Sequence, residues 1–144
     1  MAVMDALLTV SSNQAITTTA VSTDKIDLQA SRDIGGGERL FMLFTVTAAL
    51  TGGTSLAMEV VTDDNSALSS PKVIGSSGAI PAASLTLGAQ FAVALQPVTG
   101  LGERYLGANY TVVGTFAAGT VTAGIVRDVP TNVGKYYPSG YTIA

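Results

Sequence analysis

The sequence predicts an all-β protein, a jelly-roll-like antiparallel β-sandwich of about eight strands, and three observations carry that expectation. Thr, Val, Ile and aromatic residues gather in short runs separated by Gly, Asn, Asp, Ser and Pro, the vocabulary of strands and turns. The runs recur at spacings of roughly ten to fifteen residues, and no segment holds a helical period beyond a turn or two. At 144 residues the chain fits a single domain spanning 1–144, which buries roughly 70% of the surface its unfolded form exposes. Nothing repeats internally and no linker divides it.

In chain order, residues 1–12 read as a short N-terminal arm. "AITTTAV" (Ala15–Val21) is rich in β-branched residues, and "DKIDLQ" (Asp24–Gln29) alternates, with Ile26 and Leu28 on one face. "GGGERLFMLFTVTA" (Gly35–Ala48) begins at a glycine turn and places Leu40, Met42, Phe44 and Val46 on one side, Phe41 and Leu43 on the other. Apolar side chains on both faces predict a central strand covered on both sides. "TSLAMEVVTDDNS" (Thr54–Ser66) alternates more cleanly, Leu56, Met58 and Val60 pointing one way and Glu59 the other. "IPAASLTLG" (Ile80–Gly88) has room for one helical turn, and "AQFAVALQ" (Ala89–Gln96) turns Phe91, Val93 and Leu95 inward. "ERYLGANYTVVG" (Glu103–Gly114) aligns Leu106, Tyr110 and Val112, and "GTVTAGIVRD" (Gly119–Asp128) aligns Val121, Ala123 and Ile125 opposite Thr122 and Gly124. Residues from about 130 to 144 read as a C-terminal arm.

The residues that are missing exclude most chemistry. The chain has no cysteine and no histidine, which removes disulfides, thiolate nucleophiles, imidazole bases and Cys or His metal ligands together. Charged residues make up 12%, against about 25% in an average soluble domain. A surface this poor in charge is either partly covered or polar through Ser, Thr, Asn and Gln. Net charge is −3 and the seven Lys and Arg stand singly, so the clustered cations that neutralise a phosphate backbone are lacking and no nucleic-acid partner is expected. No membrane partner is expected either. The apolar run Leu40–Phe44 is far short of the roughly 20 residues that span a bilayer, and the first stretch carries Asp5 but no Lys or Arg before Lys25, unlike a secretory signal.

Each local candidate for chemistry has a plainer reading. Gly35–Gly37 lack the spacing of a phosphate-cradling loop and precede a strand, so they read as a turn. "TDDNS" (Thr62–Ser66) gathers acids that suit a hard cation, but the alternating acids and distal glutamate of an EF-type loop do not follow, and a solvated hairpin tip is expected. Asp63 and Asp64, adjacent in an extended chain, are expected to point to opposite faces rather than converge on one bond. "NYT" (Asn109–Thr111) matches a glycosylation acceptor inside a predicted strand and reads as chance. The sequence therefore predicts no catalytic, cofactor-binding or metal-binding residue, no cofactor, and no enzyme.

Four pieces, in this order and spacing, carry a resemblance over nearly the whole chain: "DALLT" (Asp5–Thr9), "DIGGGERLF" (Asp33–Phe41), "DDNSALSSPKVI" (Asp63–Ile74) and "RYLGANYTVVGTFAAGTVTAGIVRD" (Arg104–Asp128), which runs toward "YYPSG" (Tyr136–Gly140). They resemble the small capsid cement proteins of short-tailed bacteriophages, the family typified by the Bordetella phage cement protein. The resemblance implies a jelly roll on the outer surface of the icosahedral head, made in the host cytoplasm, that binds several major capsid protein subunits and acts as a homodimer. The polar N-terminal strand region departs from the family pattern and leaves the first strand pairing open. A glycan-binding sandwich on the phage surface is the alternative, since tyrosines stack on sugar rings.

The closing "NVGKYYPSGYTIA" holds three of the five tyrosines. Tyr136, Tyr137 and Tyr141 either fold back as a lid on the sandwich or act as anchors for a capsid subunit or dimer mate, held partly extended by Pro138. With Leu7 and Leu8 of the N-terminal arm, Tyr136, Tyr137, Pro138 and Tyr141 are the expected contact residues.

Overall fold

The computed structural model describes residues 4–32, 39–95, 102–127 and 129. Its frame is one long ribbon. Strand β4 (Phe41–Asp63) has 23 residues and β7 (Tyr105–Val126) has 22, and they pair antiparallel from Phe41 opposite Val126 to Asp63 opposite Tyr105. On β4 the alternation Met42, Phe44, Val46 and then Leu56, Met58, Val60 buries one face throughout; on β7 Leu106, Ala108, Tyr110 and then Val121, Ala123, Ile125 do the same.

The ribbon doubles back on this face. Phe44 and Met58, the residue opposite Tyr110, are separated by about 14 positions, or about 45 Å of straight strand. Yet the Phe44 and Tyr110 rings meet edge to face with centroids 6.0 Å apart, so both halves share one core. The fold-over is made where the pairing register slips repeatedly, between Val46 and Ser55 on β4. Two glycines permit it. Gly119 has φ +134 and lies so close to Leu50 that a Cβ there would sit 2.7 Å from the Leu50 Cα, and a Cβ on Gly53 would sit 2.6 Å from the Phe116 ring. Register slips and bends of this kind let strands pass from one sheet to the other.

Shorter strands flank each half: β1 (Thr9–Ala15), β2 (Ala20–Val21), β3 (Ile26–Asp27), β5 (Lys72–Pro81) and β6 (Gln90–Ala94). One layer runs β6, first half of β4, second half of β7, β1; the other runs β5, second half of β4, first half of β7, then β2 and β3 end to end. The seven strands described thus fill the eight strand positions of a jelly roll, β4 and β7 serving twice. Bonds across the layers hold them in place. The Tyr110 hydroxyl donates to Ser11 Oγ at 2.8 Å, Ser11 Oγ to Gln14 Oε1 at 2.8 Å, and Gln14 Nε2 to the Val21 carbonyl at 2.8 Å. Burial pushes the Tyr110 phenol up to about 12.

The predicted inward faces are the observed ones, and a 3-10 turn at Ala82–Ser84 fills the place of the expected helical turn. The β-branched run "AITTTAV" is not a strand along its length: Ala15 closes β1 opposite Thr120 and Ala20 and Val21 form β2, while residues 16–19 lie outside both strands. Ile16 instead plugs the core, its N–H donating to the Gly119 carbonyl at 3.2 Å, and the Thr17 carbonyl accepts from Phe116 N at 2.9 Å. Tertiary contacts at the bend override β propensity there. Strand β1 falls in the polar N-terminal strand region whose pairing the sequence left open, and it pairs with β7; β5 follows the expected hairpin tip but is not among the predicted strands, and the expected arm boundary near residue 12 falls inside β1. The Gly35–Gly37 turn lies outside the described residues.

Candidate functional site

The Ala6–Leu8 turn and the last residues of β7 lie at the end of the molecule opposite the bend. Asp5 caps a 3-10 turn, Ala6–Leu8, its carboxylate accepting from Leu7 N at 2.9 Å. The turn is anchored: Met4 lies over Gly124, where a Cβ would come within 3.1 Å of its Sδ, and Leu8 packs against the core. Leu7, between them, is 86% exposed. The two expected contact leucines therefore part, Leu8 to the core and Leu7 to the outside. Val126, the last residue of β7, pairs with Phe41 beside this turn, so the chain beyond it departs from the same end. Tyr136, Tyr137, Pro138 and Tyr141 lie outside the described residues.

At the same end of the other layer, ionic groups collect. Asp27 accepts from Arg104 Nε at 2.8 Å and Nη2 at 2.9 Å, and the guanidinium sits 5.1 Å from the Tyr105 ring centroid. The Arg104 bond, followed by the Gln29 amide, holds the Asp27 carboxyl down to about 2, and Asp27 in turn raises Arg104. Lys72 pairs with Glu103, which raises the lysine.

Asp63, Asp64 and Glu103 bring carboxylate oxygens within 4.8 Å of one another, which corrects the expectation that Asp63 and Asp64 point apart. The reason is local. β4 ends at Asp63, and the chain turns at once so that Asn65 N and Ser70 N both donate to the Asp63 carboxylate, at 3.1 and 2.9 Å. Asp63 is buried, so only part of this hairpin tip is solvated. The Ser70 amide leads in lowering its pKa, while the neighbouring Asp63 carboxylate, then Glu103, raise Asp64. The same tip folds Leu68 over Gly107, its Cδ1 standing 2.6 Å from where a Cβ would be. Asp63 is held by the Asn65 and Ser70 amides and Glu103 by Lys72, bonds that tie the hairpin down.

The acceptor-like Asn109 is likewise engaged, its Nδ2 donating to Glu59 Oε2 at 2.8 Å and to Thr111 Oγ1 at 3.1 Å. Sequence reasoning missed two features: the acidic convergence, because it depends on a turn, and the Tyr110–Ser11 bond, because the partners lie 99 residues apart. A serine on the inward face of β1 was the one available signal for the second.

The fold defines a structural β-sandwich, a jelly roll that holds one leucine outward on a capped turn. Comparison with protein families gives the group: the Bbp16 family model matches residues 10–125, and the chain belongs to the Bbp16 family. This is a Bordetella phage protein family, and it places the chain among phage structural proteins. No curated protein matches the chain.

Proposed function

We propose that this protein is a capsid cement protein: it binds the outer surface of the phage head and clamps neighbouring major capsid protein subunits, with a second copy of itself as a further partner. The observation that carries the reading is Leu7, held 86% exposed on a capped turn that Met4 and Leu8 pin to the sandwich. An apolar side chain presented on an anchored turn loses little entropy on docking. The family supports the phage setting. A clip that binds assembled subunits and not separated ones stabilises the assembly by its differential binding free energy, and repetition over the shell makes modest affinity per site sufficient.

The test is retention on heads lacking the protein. Full-length chain is expected to co-sediment with such heads and raise their melting temperature. A chain ending at Gly134 is expected to remain folded by circular dichroism and to be lost from heads. Failure of the full-length chain to bind heads, combined with binding to a glycan panel, would replace cement by glycan recognition. Unfolding of the truncated chain would make the tail a lid on the core.

A further inference from the structure

The few charges are not scattered over the molecule. No Asp, Glu, Lys or Arg occurs in residues 6–23, 40–58, 73–102 or 105–126. These segments include those that build the bend: the β4 and β7 fold-over, the β1–β2 connection, and the connection from β5 to β6. Every charged side chain described except Glu59 therefore belongs to the far ends of the two layers or to the segments joining them there. At the bend the exposed surface consists of residues such as Thr18, Thr51, Thr115 and Ala118, with Leu87 and Val113 as apolar points, 72% and 54% exposed.

This surface is firmly backed. Beneath it Ile16, Leu50, Leu85 and Phe116 are all buried. Backbone bonds tie the three connections together, from Leu50 N to the Leu85 carbonyl at 3.1 Å and from Phe116 N to the Thr17 carbonyl at 2.9 Å. Short Ala and Thr side chains have little rotamer freedom to lose, and a charge-free patch has no ions to desolvate. Depletion of charge is also the compositional mark of an interface centre.

Chemistry narrows the occupant. A phosphate backbone or an anionic lipid surface needs lysines and arginines, and among the described residues this end has none. A sugar needs an exposed ring to stack on, and the aromatic at the bend, Phe116, is 1% exposed. A protein surface that is itself uncharged remains, since facing a charged one would bury ions without partners.

We infer that the bend end is a second docking surface, which seats on an uncharged patch of another protein of the phage head. The inference rests on the head-binding reading and deepens it. A clamp has to touch two bodies, and the bend lies at the opposite end from the Ala6–Leu8 turn, about nine residues of strand or about 30 Å away.

The experiment compares full-length wild type, Leu87→Lys/Val113→Lys and the control Ser66→Lys, an exposed position in the turn at the charged end, for retention on heads lacking the protein. Melting temperature and oligomeric state are recorded for each. The bend variant is expected to bind at least about tenfold more weakly, because it buries unpaired charge, while Ser66→Lys binds as wild type. Thr51→Lys/Thr115→Lys repeats the test should the first variant misfold. Wild-type retention is expected to be unchanged between about 0.05 and about 0.5 M salt, over which screening shortens from about 14 to about 4 Å. Wild-type-like binding by a folded bend variant, or steep weakening by salt, overturns the inference while leaving head binding intact. A bend variant that changes oligomeric state but stays on heads also overturns it, assigning the surface to a second copy. Wild type that does not bind heads overturns the underlying reading instead.

Discussion

Replacing Gly119 by alanine tests the bend that gives this protein its shape. The substitution meets two obstacles. At φ +134 an L side chain sits in a sparsely populated region, at a cost of about 1–3 kcal/mol. The new methyl would also lie 2.5 Å from Leu50 Cγ and 2.7 Å from its Cα; the second is backbone and cannot swing aside, which adds about 1–3 kcal/mol of overpacking. Gly78 is the internal control, because it too has positive φ, +70, but nothing lies within 4 Å of its Cβ position. Gly78→Ala carries about 1–2 kcal/mol of left-handed strain, offset by about 0.4–1 kcal/mol from the stiffer unfolded chain. Urea denaturation of the two variants is expected to place Gly119→Ala about 2–5 kcal/mol below wild type and Gly78→Ala within about 1.5 kcal/mol of it. Equal losses would refute the argument that close packing of Leu50 on Gly119 sets the bend.

Four further outcomes follow from the polar contacts. Ser11→Ala should destabilise more than Tyr110→Phe, about 2 against about 1 kcal/mol, because the first strands a buried phenol while the second leaves Ser11 bonded to Gln14; the double variant should cost less than their sum, as a denaturant double-mutant cycle will show. The Tyr110 pKa is raised by burial to about 12, so its contribution is intact below pH 10 and lost as pH rises from about 10 to about 12; Tyr110→Phe should flatten stability over that window. The Asp27 pKa is depressed to about 2 by Arg104 and the Gln29 amide, so its contribution is present above about pH 4 and lost as pH falls toward 2; Asp27→Asn should remove that part of the acid dependence, and carboxyl NMR titration of wild type should find the midpoint. Asp63→Asn should lower the melting temperature more than Asp64→Asn, because one of the two amides held by Asp63 would then face an NH2 group.

Period-two alternation made the inward faces of β4, β6 and β7 legible, because a buried face leaves the same mark on each strand regardless of its neighbours. The same logic hid the continuity of β4 and β7. Residues 49–53, "ALTGG", and 115–118, "TFAA", fall between the strands the sequence predicts, since glycine and alanine are poor strand formers, yet the ribbon stays paired through the bend at Thr51 and Ala118, where small side chains permit the close approach. β5, "KVIGSSGAIP", lacked a signal for a related reason: as a flanking strand with mostly exposed side chains it has no apolar face to write into the sequence. The site was legible in part. Leu7 and Leu8 are expected contacts of the N-terminal arm, but their opposite fates depend on Met4 meeting Gly124, a contact between residues at opposite ends of the sequence. The uncharged end had been visible only as a low overall charge, since it takes the fold to gather four neutral segments into one place.

In the proposed clamp, that gathering bears on how a 14.6 kDa protein would hold two bodies together. A clip whose two contacts sit on a pliable chain has its second contact limited by linker statistics, whereas contacts at the two ends of a rigid sandwich are held at one spacing. The jelly roll supplies that rigidity through its shared core, the ribbon bending once and the Phe44 and Tyr110 rings locking the halves. When the spacing matches the lattice, docking one end places the other at high effective concentration, and overall binding gains about 10²–10⁴ without any stronger contact. The same stiffness makes the clip selective. A shell whose subunits stand at another spacing engages one end at a time, and a small uncharged surface alone is too weak to stay.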